Sequence, residues 1–323
     1  MKLEAAFKRL DQFKIGNTQL MYLEPENLSA KVFAKCEWEN EFGSIKDRVA
    51  LAMLKACLKE HPELLMENTP FKIIEYSGGN LAISLAKMCS VLGVKLTVVL
   101  PGSVPKVLIN DLENSGSEVI LSVKEKGFLG AMLLAKKLAR RDKYAIFLYQ
   151  HKNKANIECH RDSTAQEITF KLRQSFNYIK PQAFVASIGT GASLIGIYEG
   201  LKHYYPNIML YATSPEEMPY GTKQAPHARQ KFAGSGGLGY GLRQYFVNPY
   251  EHEIKSFFNI SLGECYKAAL NFYHKTGVLI GSSSAANWIA SKKIAQEYGP
   301  DLAVLTIFPS LATETEKVSI GID

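Results

Sequence analysis

The feature that most constrains this chain is the recurrence of short apolar runs separated by stretches of helical periodicity. The runs at 96–100 (LTVVL) and 183–187 (AFVAS) carry almost no polar alternation. A strand with one wet face alternates, whereas a strand covered on both faces does not. The same reading predicts strands at 30–35, 71–75, 118–121, 146–149, 209–213 and 302–307. Between them the spacing predicts helices at 45–60, 81–92, 104–115, 130–140, 165–174, 194–205, 262–276 and 285–298. Strands alternating with helices imply an α/β architecture of mainly parallel sheets flanked by helices. With 323 residues the chain is too long for one simple core and suits two domains. The segment 214–250, rich in Gly, Pro and Tyr, reads as a long irregular stretch, and such stretches in compact enzymes are often functional.

Composition removes several classes of function. Hydrophobic residues make up 46% and charged residues 21%, an ordinary globular balance that excludes a disordered chain. The net charge is +7, but Lys and Arg are spread along the sequence. The short basic cluster of Lys136, Lys137, Arg140 and Arg141 falls largely on one solvated helical face, so nucleic acid is not the expected partner. A mildly basic protein would still attract small anionic substrates and a phosphorylated cofactor. Five widely spaced cysteines, odd in number and without a CxxC pair, argue against a disulfide framework or a zinc site and fit a reducing cytoplasm. The opening MKLEAAFKRLDQF reads as a short amphipathic helix and not a signal peptide, and the apolar runs are too short to span a bilayer.

In open parallel sheets ligands sit beyond the carboxyl ends of the strands, so the strand-to-helix turns are where chemistry is expected. Ser77-Gly78-Gly79-Asn80 precedes the helix at 81–92. Its glycines allow close backbone approach, and the helix start offers an anion site. The plainer reading is a tight turn with Asn80 as N-cap. Gly189-Thr190-Gly191-Ala192-Ser193 enters the helix at 194–205. Successive N–H groups there form a nest for phosphate, although neither the Walker nor the dinucleotide spacing is present. Gly281-Ser282-Ser283-Ser284 precedes another helix, and its serines suit either capping or a contact with a ligand ring nitrogen. Lys46 lies in the first turns of the helix at 45–60, where its charge opposes the dipole. It is either an ordinary solvated lysine or a buried amine of depressed pKa that forms an imine.

Taken in order, these segments resemble the fold-type II family of pyridoxal-phosphate (PLP) enzymes, which includes cysteine synthase, cystathionine β-synthase and the tryptophan synthase β-chain. IGNTQL at 15–20 is similar to the family's IGNTPL, and KCEWENEFGSIKDR at 35–48 to its K-x-E-x-x-N-P-x-G-S-x-K-D-R. Asn153, Asn156, His160, Thr164, Glu167 and Ile168 fall at the spacing of its N-x-A-N…H…T-x-x-E-I stretch. GTGAS stands for GTGGT, residues 231–236 for its H-K-I-Q-G-I-G loop, and GSSSAA for G-x-S-S-G-A. The resemblance runs from about residue 12 to 310. It implies a large cofactor-binding domain of 1–40 and 155–323 and a small mobile domain of 41–154. It implies that Lys46 holds the cofactor as an imine and then acts as base, and that Asn80 meets the ring 3′-oxygen. Gly189, Thr190, Gly191, Ala192 and Ser193 would hold the phosphate, and Ser283 would face the ring nitrogen. The implied reaction is β-replacement on an activated serine, O-acetylserine or O-phosphoserine, through an aminoacrylate, in a homodimer.

The departures bear on the substrate. Where the family has T-S-G-N-T-G this chain has Ser77, Gly78, Gly79, Asn80, Leu81 and Ala82, so two hydroxyls that grip the substrate carboxylate are replaced. Each lost hydrogen bond to a charged group costs about 1.5–3 kcal/mol. Ser77, Gly78, Gly79 and, by position, Gln150 are the residues expected at the substrate, with backbone N–H groups of Gly79 and Asn80 making up part of the loss. Gln19 replaces a proline, and residues 309–314 replace the family's D-S-G-E-R-Y. An apolar residue after the asparagine resembles the synthases that add an amine, as for diaminopropionate or siderophore precursors. Amine addition and β-elimination of serine or threonine therefore stand beside sulfide as alternatives. A non-catalytic relative would have no need of Lys46, Asn80, GTGAS and Ser283 together.

Overall fold

The computed structural model of the protein describes residues 1–24, 29–222, 241–300 and 302–322. The chain runs α1 (Leu3–Leu10), β1 (Leu20–Leu23), β2 (Lys31–Cys36), α2 (Lys46–Glu60), β3 (Lys72–Tyr76), α3 (Asn80–Leu92), β4 (Leu96–Leu100) and α4 (Lys106–Asn114). It continues through β5 (Glu118–Leu121), α5 (Gly127–Arg141), β6 (Ala145–Phe147), α6 (Lys154–Cys159), α7 (Ala165–Ser175), β7 (Ala183–Ser187), α8 (Ala192–Tyr204) and β8 (Met209–Pro215). It ends with β9 (Ile254–Ile260), α9 (Leu262–Thr276), α10 (Ser282–Tyr298), β10 (Ala303–Phe308) and α11 (Glu314–Ile320).

These elements form two compact units. The smaller contains Met1–Ile15 and Lys46–Asn156. The larger contains Gly16–Ile45 and the described residues from 157 onward. Residues 1–15 thus depart from the division expected from sequence, because α1 packs on α2 and α3 and its buried Ala6 and Leu10 belong to that core.

In the smaller unit four parallel strands lie in the order β5-β4-β3-β6. One sheet face carries Ile74, Tyr76 and Val99 against Ala131 and Ala135 of α5. The larger unit holds six strands in the order β1-β2-β10-β7-β8-β9, parallel except for β1. Its interior strands bury both faces, and successive residues serve opposite cores: Leu305 and Ile307 face one cluster, Val304 and Phe308 the other. That two-sided burial is why these strands read as apolar runs.

β3 lies between β4 and β6, and β7 between β10 and β8. The turns β3–α3 and β7–α8 therefore leave the carboxyl ends of interior strands, the usual ligand position of such sheets.

Candidate active site

Within the smaller unit the residues expected to act on substrate lie along the ends of β3 and β6. Lys46 is the first residue of α2, half-buried, and is followed by buried Asp47 and Arg48. The Ser84 hydroxyl donates to Asp47 Oδ1 at 2.6 Å and contacts the Asn80 carbonyl at 2.8 Å, so the starts of α2 and α3 are joined. The N-cap of α3 is Gly79, not Asn80. The Asn80 amide makes no hydrogen bond among the described residues and is available to a ligand. Ser77 serves the turn itself: its Oγ accepts from the Gly79 N–H at 3.2 Å and from the Ala82 N–H at 3.3 Å. The Gly79 N–H is therefore already bound to protein.

Gln150 reaches this turn through its neighbours. Tyr149 has φ +54, a left-handed conformation costly for a residue with a side chain. That conformation ends β6 at Phe147, two residues before the expected end, and redirects the chain toward β3. The Gln150 amide then donates to the Tyr76 carbonyl at 2.9 Å, and its N–H approaches Glu75 Oε1 at 3.5 Å. Asn156 donates to the Gln150 carbonyl at 2.8 Å, and Asn153 to the Leu148 carbonyl at 2.9 Å. These two asparagines of the N-x-A-N stretch act here as clamps on the chain after β6.

Three residues that the motifs did not single out complete the cluster. Glu75 is buried in β3, and its Oε2 has no hydrogen-bond partner among the described residues. Burial pushes its carboxyl up to about 8, against the smaller opposing effects of the Tyr76, Gln150 and Tyr149 N–H groups and the Lys46 charge. His151 is also buried, and its imidazole stacks on Tyr76 with centroids 5.5 Å apart and planes at 13°. Its Nδ1 is hydrogen-bonded to the Tyr76 hydroxyl. Burial, with the Lys46 charge second, drives the imidazole down to about 3, so it is neutral near pH 7. A lone tyrosine and a lone histidine read as core residues in a sequence; the visible signal was a His directly after a Gln at the end of a strand.

The larger unit positions the phosphate turn and the serine run. Gly191 is the N-cap of α8 with φ +82, and a Cβ there would stand 2.3 Å from Val247 Cγ2. Only glycine fits both demands. The Thr190 hydroxyl accepts from the Ala192 N–H at 3.2 Å. The Ser193 hydroxyl makes no hydrogen bond among the described residues. At the start of α10 the Ser282 N–H donates to Glu316 Oε1 at 3.0 Å, and Ser284 Oγ to the Ser310 carbonyl at 2.8 Å. Ser283 between them is 7% exposed, and its hydroxyl has no partner among the described residues. The expected loop at 231–236 lies outside the described residues.

The family model described as pyridoxal-phosphate dependent enzyme matches residues 12–310. Cysteine synthase of Flavobacterium sp. is 34% identical over 271 residues, 83% of each chain. Among solved structures, the O-acetylserine dependent cystathionine β-synthase of Helicobacter pylori superposes with a TM-score of 0.80 at 26% identity, covering 96% of both chains. Cysteine synthase of Entamoeba histolytica shares the fold with a TM-score of 0.81 at 24% identity, covering 96% of this chain and 88% of its own. With a match spanning nearly the whole sequence, this chain belongs to the pyridoxal-phosphate dependent enzymes and is itself an enzyme whose cofactor is pyridoxal 5′-phosphate.

Proposed function

We propose that the protein catalyses β-replacement on an activated serine, O-acetylserine or O-phosphoserine, as a cysteine synthase-like enzyme. The observation that carries this reading is the retention of Lys46 at the start of α2, in a chain that matches a cysteine synthase over 83% of both lengths. Lys46 is the residue proposed to bind the cofactor covalently. Gly189, Thr190, Gly191, Ala192 and Ser193 are proposed to hold its phosphate, Asn80 its ring oxygen and Ser283 its ring nitrogen. The side chains of Asn80, Ser193 and Ser283, which have no hydrogen-bond partner among the described residues, and a helix start at α8 that only glycine can cap, suit this cofactor. When bound, it supplies an electron sink for charge developing at the substrate α-carbon.

The remaining chemistry belongs to the chain. The Lys46 amine takes the α-proton of the substrate, as a base held at the end of a helix that Asp47 and Ser84 anchor. Helix-terminal N–H groups at α8 would bind the doubly charged phosphate. Ser283 would offer the ring nitrogen a neutral hydroxyl, a partner that would leave the ring less electron-withdrawing than a carboxylate would. Five cysteines, all free, support a reducing cytoplasmic setting, and the family resemblance supports a homodimer. Among the described residues no helix is long and apolar enough to cross a membrane.

The purified protein should be yellow and should lose its visible absorption in Lys46→Ala. Adding O-acetylserine should change the wild-type spectrum. A colourless wild type that PLP cannot reconstitute removes the reading. A response to phosphoserine alone would move the donor to that substrate.

A further inference from the structure

We propose that Glu75 is a positioning residue for the reaction, whose carboxyl sets the turn after β6 so that the Gln150 amide meets the carboxylate of the amino-acid substrate. The inference rests on the reading above that the substrate is an α-amino acid, with Gln150 at its carboxylate. It begins where the ladder between β3 and β6 ends. The pairs Lys72–Ala145, Ile73–Ile146 and Ile74–Phe147 are in register, and the Leu148 N–H still donates to the Ile74 carbonyl at 3.2 Å. Beyond that point Tyr149 turns left-handed, and the Tyr149 and Gln150 N–H groups have no backbone acceptor among the described residues. N–H groups that leave a ladder need another acceptor.

Glu75 supplies it. Ile74 and Tyr76 face the α5 core, so alternation along β3 sends the Glu75 side chain to the other face of the sheet. There its Oε1 stands 3.5 Å from the Gln150 N–H, and the Tyr149 N–H acts on the same carboxyl. The Gln150 contact is long, and it is the convergence of two N–H groups on one buried carboxyl that holds the turn. A left-handed residue with a side chain persists only where its surroundings hold it. The Lys152 and Asn153 N–H groups fix the Tyr149 carbonyl at 2.9 and 3.1 Å, and Glu75 fixes the N–H side.

Gln150 is thereby held at three points. Its N–H approaches Glu75, its carbonyl accepts from Asn156 at 2.8 Å, and its side-chain amide donates to the Tyr76 carbonyl at 2.9 Å. One amide hydrogen is left over, and Gln150 makes no other side-chain hydrogen bond among the described residues. That N–H is a donor of fixed direction, so little entropy is lost when a carboxylate binds it. Glu75 itself acts through the backbone of Gln150.

The test titrates the visible spectrum of the PLP-loaded protein with L-serine and with L-serinamide, which has the amine but no carboxylate. Gln150→Ala should weaken L-serine about 10-fold and leave L-serinamide unchanged. Glu75→Met should do the same, and in the Gln150→Ala background it should add nothing, because both changes remove one contact. Glu75→Gln, whose amide oxygen accepts from the same N–H groups, should bind L-serine as the wild type does. Tyr149→Gly makes the left-handed turn free of strain, so in the Glu75→Met background it should recover part of the loss. If Glu75→Met does not fold, Glu75→Asp, which withdraws the carboxyl by one methylene, should show the same selective loss. Losses that are equal for both ligands, that add across Glu75 and Gln150, or that persist in Glu75→Gln overturn the proposal. So does a Glu75→Met that binds L-serine normally while Gln150→Ala does not. A Gln150→Ala without effect on L-serine removes Gln150 from the substrate and the proposal with it. A wild type whose spectrum responds to no amino acid overturns the parent reading as well.

Discussion

A carboxyl group buried inside a strand is costly unless it keeps its proton or finds a full set of donors. Glu75 has one oxygen near the Gln150 N–H and the other without a hydrogen-bond partner among the described residues, and burial pushes its carboxyl from about 4.5 to about 8. The folded state therefore holds a proton that the unfolded state releases. This contribution to stability is complete below about pH 4.5 and is lost as the pH rises through about 8. Glu75→Gln keeps the shape without the titration, so the variant should gain on the wild type progressively from pH 5 to pH 8.5, by up to a few kcal/mol. Urea unfolding of the cofactor-free proteins across that range measures it; a difference that stays constant with pH would mean that Glu75 does not titrate there. His151 works in the opposite direction. Its folded-state value of about 3 lies below the ordinary 6.5, so its contribution is complete above 6.5 and is lost as the pH falls toward 3. The same buried surroundings thus oppose charge of either sign.

At the scale of elements, packing decides which glycines are needed. α8 lies against the turn His160–Thr164 and α7, and a Cβ at Gly196 would stand 2.4 Å from the Ile157 carbonyl oxygen. At Gly263, in the first turn of α9, a Cβ would meet nothing within 4 Å. Alanine gains up to about 1 kcal/mol of helix propensity at an open helical site. At Gly196 that gain is outweighed by about 1–3 kcal/mol of overpacking against backbone that cannot move aside. Thermal melts should therefore show Gly196→Ala lowered and Gly263→Ala raised or unchanged; shifts of the same sign in both would refute the packing argument. The elements themselves were readable where burial is uniform. β4, β5 and β7 run over the residues the apolar runs predict, because both faces of β4 and β7 are covered. β1, β9, α6 and α11 were missed. β1 and β9 are edge strands, and β9 mixes Lys255, Ser256 and Asn259 with its apolar residues, so the periodicity carries no clean signal. The Ser282–Ser284 run looked like a cap and is instead the buried first turn of α10, because Glu316 and Ser310, far along the chain, satisfy the Ser282 N–H and the Ser284 hydroxyl. The glycine turns and Lys46 were legible as ordered motifs. The Glu75–Tyr76–His151 cluster was not, since it exists only once β6 pairs with β3 and Tyr149 turns the chain.

For the whole molecule, the cofactor is part of the stability as well as of the chemistry. A ligand that binds only the folded chain adds about 2.7 kcal/mol at a hundredfold excess over its dissociation constant. PLP should therefore raise the melting temperature of the apo-protein, and the rise should be smaller in Lys46→Ala, which retains only the non-covalent contacts. Hydrogen exchange gives this a location. The amides at the start of α3 in the smaller unit and at the start of α8 in the larger lack protein acceptors among the described residues at Asn80, Leu81 and Ser193. In the apo-protein they should exchange readily, as unsatisfied helix-terminal N–H groups do. With PLP the α8 start should be protected through phosphate binding, and in Lys46→Ala that protection should persist at higher cofactor concentration. At the α3 start, protection should increase further when an amino-acid carboxylate is present. Protection confined to one of the two turns would leave the residue assignment standing for that unit alone and remove it for the other. A cofactor that raised the melting temperature while protecting neither turn would mean that it binds this family member somewhere else.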